Sequence, residues 1–271
     1  MSNSSAARTN LTSTDVRISN SHLGEGTFRT CCLQGTYLGG NRNNQEAACK
    51  RFKLRFRSME LEYFASDFQI SDTAIRYAED WNEFAASDET ILVTKGHIIT
   101  SNSGIRYLAE PLIRDFRKFT SNSGWIESDG TWMTDAMAAF SHYTYNASNG
   151  KLIVCDLQGR YRNNRFQRSK SRFELTDPAV CSRARNYGPT DLSEKGTESF
   201  FANHTCNQFC NKHGTWLIPS YPQRWFPQSS ATSMFSSSVS HKLQVSNRTQ
   251  FCLGAMGAIV EEEDSDSDDY W

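Results

Sequence analysis

The sequence predicts an α+β fold in two lobes. Three observations carry the prediction. Strand-like segments come first and compact helices later, no regular strand–helix–strand alternation marks a parallel sheet, and a Glu110-Pro111 break separates the halves. A chain of 271 residues fits one large domain or two small ones. Aromatic residues make up 12 % of it, too many rings for a wholly disordered chain.

The elements follow in order. Leu23-Gly24-Glu25-Gly26-Thr27 reads as a flexible opening. The β-formers of 28–38 predict a strand, Gly39-Gly40-Asn41 a turn, and 46–53 a second strand. Residues 57–86 read as a helix, because Ile70, Ala74, Tyr77, Trp81 and Phe84 recur at steps of four and three and line one apolar face. Short strands are expected near 90–94, 97–100 and 104–109, then a connector at Glu110-Pro111 and polar loop to 129. Trp132, Ala136, Ala139, Phe140 and Tyr143 mark a second long helix. Residues 151–155 form an apolar strand that ends at Asp156, and 160–172 are polar and basic. Two short helices are expected at 193–202 and 206–213. From about Pro219 the chain turns Ser-rich, so 216–260 is expected to be a loosely ordered extension.

Net charge is −1, which excludes a uniformly basic binder of nucleic acid. The charge is unevenly placed. Residues 261–271 hold seven acids and no base, so the remainder carries +6, and the segment is expected to be a solvated, disordered tail. Residues 1–16 are Ser/Thr/Asn-rich and are expected to be disordered, without the apolar stretch of a secretory signal. No apolar run approaches the roughly 18–20 residues that span a bilayer. No membrane partner is expected, and a cytoplasmic location, with the nucleus as alternative, is the default. The eight cysteines do not read as a disulfide framework in such a chain.

Four constellations could carry chemistry. Gly24-Glu25-Gly26 precedes a strand, and Lys50 lies on the next. Glycines let backbone amides approach phosphate oxygens, and a neighbouring lysine can reach the same phosphates, although such a pair is more often a turn and a solvated lysine. Asp156-Leu157-Gln158-Gly159 follows an apolar strand, where Asp156 and Gln158 project the same way and can share a divalent ion; an Asx turn is the plain alternative. Thr176-Asp177-Pro178 supplies a further carboxylate. His204, Cys206 and Cys210 offer three ligands within seven residues, with Cys206 and Cys210 at i, i+4 of a helix, a set that suits tetrahedral zinc. The fourth ligand is open among His142, His213, Cys155 and Cys181. Arg160, Arg162, Arg165, Arg168, Lys170 and Arg172, with Tyr161 and Phe166 between them, form a basic stretch. It reads as a solvated loop or a docking patch for an acidic partner before it reads as a base-stacking surface.

Four blocks in order resemble the alpha-kinase family of atypical protein kinases. They are Ala139-Phe140-Ser141-His142-Tyr143-Thr144-Tyr145, Val154-Cys155-Asp156-Leu157-Gln158-Gly159, Leu175-Thr176-Asp177-Pro178, and the run from Phe200-Phe201 through His204 and Cys206-Asn207 to Cys210. The resemblance covers about 17–214. It implies a catalytic domain over 17–215, a two-lobed kinase-like fold with a zinc-stabilised C-terminal lobe and a hinge near 110–112. No His-Arg-Asp loop or Asp-Phe-Gly occurs, so an ordinary kinase is excluded.

By that resemblance Gly24 and Gly26 belong to a phosphate-covering loop, and Arg29 and Lys50 contact the phosphates of ATP. Glu110 and Leu112 hydrogen-bond adenine through their backbone. Asp156 is the catalytic aspartate, and Gln158 and Asp177 hold magnesium. His142 joins His204, Cys206 and Cys210 as the fourth ligand of a structural zinc. The partners implied are the nucleotide and a protein with a Ser/Thr acceptor, with nucleic acid not expected. Three departures stand out. The stretch between Asp156 and Asp177 is about ten residues longer than in close relatives. The glycine-rich substrate loop is only partly present at Gly188-Pro189-Thr190-Asp191-Leu192-Ser193, where Asp191 replaces the usual Asn and Ser193 a Gly. No accessory domain is recognised. The altered loop motivates an alternative, a zinc-stabilised nucleotide-binding pseudokinase or scaffold.

Overall fold

The computed structural model describes residues 7–8, 15–24, 29–84, 89–101, 104–164, 171–210, 214–237 and 243–245. Most of 1–16, Gly26, Arg165, Arg168, Lys170, His213, the stretch 246–260 and the acidic tail 261–271 lie outside the described residues, as does the side chain of Arg29.

In chain order the elements are β1 (Ala7–Arg8), β2 (Asp15–His22), β3 (Arg29–Leu38), β4 (Glu46–Phe52), α1 (Glu60–Phe84), β5 (Thr90–Thr94), β6 (His97–Thr100), β7 (Arg106–Pro111), β8 (Arg117–Lys118), α2 (Trp132–Ala147), β9 (Leu152–Cys155), β10 (Gln158–Arg162), β11 (Arg172–Leu175), β12 (Ala179–Ser182), α3 (Ser193–Phe201), β13 (Phe235–Ser237) and β14 (Leu243–Val245). The architecture is α+β, as the order of strand and helix signals predicts.

Two sheets organise the lobes. The N-terminal sheet is antiparallel throughout, in the order β2-β3-β4-β7-β6. The second runs β1-β5-β11-β10-β8 and mixes parallel with antiparallel pairs. β9 and β12 form a separate antiparallel pair. Every strand predicted between 28 and 109 is present, but β5 joins the second sheet while its sequence neighbours β6 and β7 join the first.

Helix α1 ties the lobes together. Its first turns place Phe64 against Phe52 and Leu108 of the N-terminal sheet, with the two phenyl rings 5.2 Å apart. Its later turns bury Ile70, Ala74, Tyr77 and Trp81, the face that the periodicity marks. Trp81 meets Phe140 and Tyr143 of α2 edge-on at 5.7 and 5.4 Å, and Trp216 at 6.4 Å. Such ring pairs add about 0.5–1.5 kcal/mol each beyond area burial, so this cluster fixes α1 on α2.

Three expectations are corrected. Residues 206–210 form a turn, closed by the Cys210 N–H on the Asn207 carbonyl at 3.1 Å, so Cys206 and Cys210 do not share a helix face. The extension after 215 is partly packed. Trp216 enters the main core and Phe226 is buried with Phe200 and Phe201, because large rings in a Ser-rich stretch still gain by leaving water. The basic stretch is in part structural. Arg160, Arg162 and Arg172 surround the fully buried Glu174 at 2.7, 3.7 and 3.0 Å, since a buried carboxylate needs partners.

Candidate active site

Three pieces of the fold meet between the lobes. From the N-terminal sheet, β4 carries Lys50 with only 10 % of its side chain exposed, and neighbouring β7 carries Glu110. Lys50 Nζ lies 2.7 Å from Glu110 Oε2 and 3.1 Å from an Asp177 carboxylate oxygen of the C-terminal lobe. Thr176 Oγ1 donates to the same Glu110 oxygen at 3.1 Å. The lysine is thus a fixed cation that joins the lobes.

The end of β9 carries Asp156, 2 % exposed. Lys118 Nζ on β8 sits 2.7 Å from Asp156 Oδ1. The adjoining backbone is pinned, with Leu157 N–H on Thr120 Oγ1 at 3.0 Å and Phe119 N–H on the Leu157 carbonyl at 2.9 Å. Burial pushes the Asp156 carboxyl above its ordinary range, Lys118 opposes it by charge and hydrogen bond, a hydrogen bond from Thr232 opposes it further, and the Asp177 charge adds to the rise. Asp156 and Asp177 have φ of +58° and +51°. Asp tolerates this left-handed region better than most residues, and such backbone recurs where a fold aims a functional side chain.

Gln158 opens β10. Its Nε2 donates to the Asp177 carbonyl at 2.8 Å, which leaves Oε1 as a hard oxygen donor beside the half-exposed Asp177 carboxylate. Gly159 follows because nothing larger fits: a Cβ there would lie 2.0 Å from the Glu174 carbonyl across the ladder.

Several assigned residues behave differently from expectation. Glu110 faces the site through its side chain, as the partner of Lys50. The Leu112 N–H already donates to the Glu46 carbonyl at 3.0 Å, which removes the donor half of the adenine contact expected of it. Asp191 does not face a substrate. It is fully buried, and its carboxylate accepts from the Ser182 N–H at 2.8 Å, the Ser182 hydroxyl at 2.6 Å, the Ser193 N–H at 2.9 Å and the Tyr187 N–H at 3.3 Å. Those bonds hold the 188–193 loop closed. Gly188, with φ of +75°, packs where a Cβ would meet the Ser66 side chain of α1 at 2.8 Å. Gly24 lies two residues past the end of β2, while Gly26, the other glycine of the predicted phosphate-covering loop, and the Arg29 side chain are outside the described residues.

A second constellation lies away from the cleft. His142 on α2, His204, Cys206 and Cys210 bring one ligand atom each within 4.8 Å of one another. His142 Nδ1 is 3.2 Å from His204 Nε2 and 3.7 Å from Cys206 Sγ, and Cys210 Sγ is 3.5 Å from His204 Nε2. A tetrahedral zinc with bonds of about 2.0–2.3 Å spaces its ligands by about 3.3–3.8 Å, so donor set and spacing fit that ion. His142 Nε2 donates to the Leu217 carbonyl at 2.9 Å, which turns the Nδ1 lone pair into the cluster. Burial, and then the neighbouring His142, hold His204 down to about 3, so it offers a neutral ring.

Sequence reading missed Lys118, Asn122 and Thr232. Lys118 stands in a two-residue strand inside a polar loop, and no local pattern separates it from a solvated lysine.

Two lobes with a lysine–glutamate pair above and strand-end carboxylates below define an atypical protein-kinase domain. The chain belongs to the alpha-kinase family, whose profile matches residues 24–210. It is 32 % identical over 193 residues to alpha-protein kinase vwkA of Dictyostelium discoideum, covering 69 % of this chain and 27 % of that protein. It is 38 % identical over 104 residues to transient receptor potential cation channel subfamily M member 6 of Mus musculus, covering 36 % of this chain and 5 % of that one. The chain therefore spans about a quarter or less of these relatives. The fold matches the alpha-kinase domain of myosin-II heavy chain kinase A in complex with AMP-PNP, with a TM-score of 0.62 and 19 % identity over 76 % of this chain and 89 % of that one.

Proposed function

We propose that this domain transfers the γ-phosphate of ATP to Ser or Thr hydroxyls of protein substrates. The observation that carries the reading is the convergence on one cleft of Lys50, Asp177, Gln158 and Asp156, drawn from both lobes.

Phosphoryl transfer needs positioning and charge neutralisation more than covalent help. Lys50, held by Glu110, is placed to neutralise phosphate oxygens. Gln158 Oε1 and the Asp177 carboxylate are the oxygens that would hold magnesium, which when bound offsets charge on the transferring group. Asp156 orients the acceptor hydroxyl and takes its proton, and Lys118 keeps the buried carboxylate charged so that it can. His142, His204, Cys206 and Cys210 would hold a structural zinc and pin the turn at 206–210 to α2.

The pseudokinase alternative rests on Asp191 and Ser193. Asp191 closes its own loop, so its replacement of Asn is no sign of a lost substrate contact. The test is transfer from radiolabelled ATP with magnesium to a basic protein substrate. Label that Asp156→Ala and Lys50→Met both abolish, while each variant stays folded at the assay temperature, supports the reading. Label that survives Asp156→Ala overturns the role of that residue, and nucleotide binding without any transfer overturns the activity.

A further inference from the structure

Asn122 lies in the loop that follows β8, four residues beyond Lys118, and is 1 % exposed. The loop holds its own shape: the Ser121 N–H donates to the Trp125 carbonyl at 2.9 Å, and Ser121 Oγ accepts the Trp125 N–H at 3.1 Å. Both hydrogens of Asn122 Nδ2 go to main-chain carbonyls, that of Thr190 at 2.8 Å and that of Ser233 at 2.7 Å, while Oδ1 accepts the Ser233 N–H at 2.9 Å. This pattern determines the orientation of the amide, since exchanging its O and N would set donor against donor. The N–H and C=O of one residue of extended backbone point to the same side, so the contact to Ser233 is one rung of a sheet ladder made by a side chain. It grips main chain and ignores the side chain, as extended-peptide sites do.

Its position gives the rung a meaning. The residue before Ser233 is Thr232, which donates its hydroxyl to Asp156 Oδ2 at 2.7 Å and accepts from Lys118 Nζ at 3.2 Å. A hydroxyl set between that carboxylate and that lysine stands in for the acceptor hydroxyl of a substrate, and Ser233 stands in for the residue after the acceptor. The loop after β8 thus meets both, through Lys118 at one end and Asn122 at the other. The bond to Thr190 joins Asn122 to the 188–193 loop, which the Asp191 carboxylate holds closed, so the amide is set before a peptide arrives.

We propose that Asn122 forms a subsite for the residue that follows the acceptor in a protein substrate, binding its main-chain N–H and carbonyl, and that this subsite refuses proline. The proposal deepens the kinase reading and rests on it. Proline has no N–H, and its ring fills the space through which that hydrogen would reach Oδ1. A buried Oδ1 would then have no donor, and losing such a bond costs about tenfold or more in kcat/KM. Acceptors in Ser-Pro and Thr-Pro therefore lie outside the range of this domain, whatever side chains surround them. A substrate enters as residues 232 and 233 leave, and that exchange scales the rate of every peptide by the same factor.

The experiment uses the full chain with radiolabelled ATP, magnesium and an added basic protein whose labelled sites are mapped by mass spectrometry. A peptide built on one mapped site is made in three forms that differ only after the acceptor: alanine, its ester analogue lactate, which replaces the N–H by oxygen, and proline. From alanine to lactate kcat/KM is expected to fall about tenfold, and further for proline. Asn122→Ala is expected to bring alanine and lactate to equal rates. Release of the 232–233 segment or a lower stability would not move that ratio, because each acts on all peptides alike. Equal rates for alanine and lactate in the wild type overturn the proposal and leave the kinase reading standing, as does label mapped to Ser-Pro or Thr-Pro sites. A ratio that survives in Asn122→Ala overturns the assignment to Asn122. The wild-type comparison needs no variant, so it decides the proposal even where Asn122→Ala does not fold. An added protein without label overturns the kinase reading, and the proposal falls with it.

Discussion

Lys118 and Asp156 stand 2.7 Å apart with both side chains largely buried, and neither reaches another residue of opposite charge as closely among the described contacts. Burial pushes the Asp156 carboxyl up, and Lys118 is the largest influence holding it down. Lys118→Met removes that influence, so the Asp156 pKa rises further. A general base works only when deprotonated, so the acid limb of the kcat/KM profile should move to higher pH and the rate at neutral pH should fall. Lys118→Arg should leave the limb in place. A pH–rate profile of the three proteins checks it; an unmoved limb in Lys118→Met removes the coupling claimed between the two residues.

Asp191 makes a different prediction from the one its place in a substrate loop suggests. Four donors converge on its carboxylate, so Asp191→Ala strands buried N–H groups and should cost about 3 kcal/mol or more. The cost should appear in denaturant midpoint before it appears in substrate KM. A variant of normal stability whose KM for protein alone rises would return Asp191 to the substrate.

The residues that could be read from sequence are those whose signals are contiguous. Asp156, Gln158 and Asp177 stand beside apolar strands, Ile70 to Trp81 repeat at helical steps, and the strand signals before 110 rest on local β-formers, so neighbours alone place them. What escaped depends on partners far along the chain. Thr232 and Asp156 are 76 residues apart, and serine density says nothing of which hydroxyl meets a carboxylate. Glu174 left a weaker trace: a lone acid between Phe173 and Leu175 in an apolar strand calls for cations, and three arginines nearby supply them. The i, i+4 spacing of Cys206 and Cys210 pointed to a helix, yet the cluster forms in a turn, because the demand that gathers the ligands is their shared approach to His142 rather than helix periodicity.

The His/Cys cluster predicts a metal-dependent lobe. Purified protein should contain about one zinc per chain, and a strong chelator should lower its melting temperature. Cys210→Ala should lose both the metal and the stability, since Cys210 is buried and burial pushes its thiol up to about 12, so that thiolate formation would fall to a bound metal. Metal analysis with calorimetry decides it. Cys210→Ala with full zinc content and unchanged melting would dismiss the site.

Asp129 gives a prediction about pH and stability. It sits two residues before the N-cap of α2, Thr131, and accepts the Thr131 N–H at 3.0 Å, the Thr134 hydroxyl at 2.8 Å, the Thr131 hydroxyl at 3.0 Å and an ion pair from Arg117. Partial burial pushes the carboxyl up, but the hydrogen bonds outweigh it and hold Asp129 at about 2, below the ordinary 3.8. A folded pKa below the unfolded one means stability that is present above about pH 4 and lost as pH falls through about 2. Asp129→Asn should therefore be less stable than the parent by about 1 kcal/mol at neutral pH, a usual size for a helix-start contact. That difference should close on acidification. The comparison isolates Asp129, because any acid loss of a metal from the His/Cys cluster would strike both proteins alike and cancel between them. Chemical denaturation of the pair from pH 6 downward measures it. A gap that persists unchanged to the lowest pH at which the parent still folds would show that Asp129 acts through shape and not through its charge.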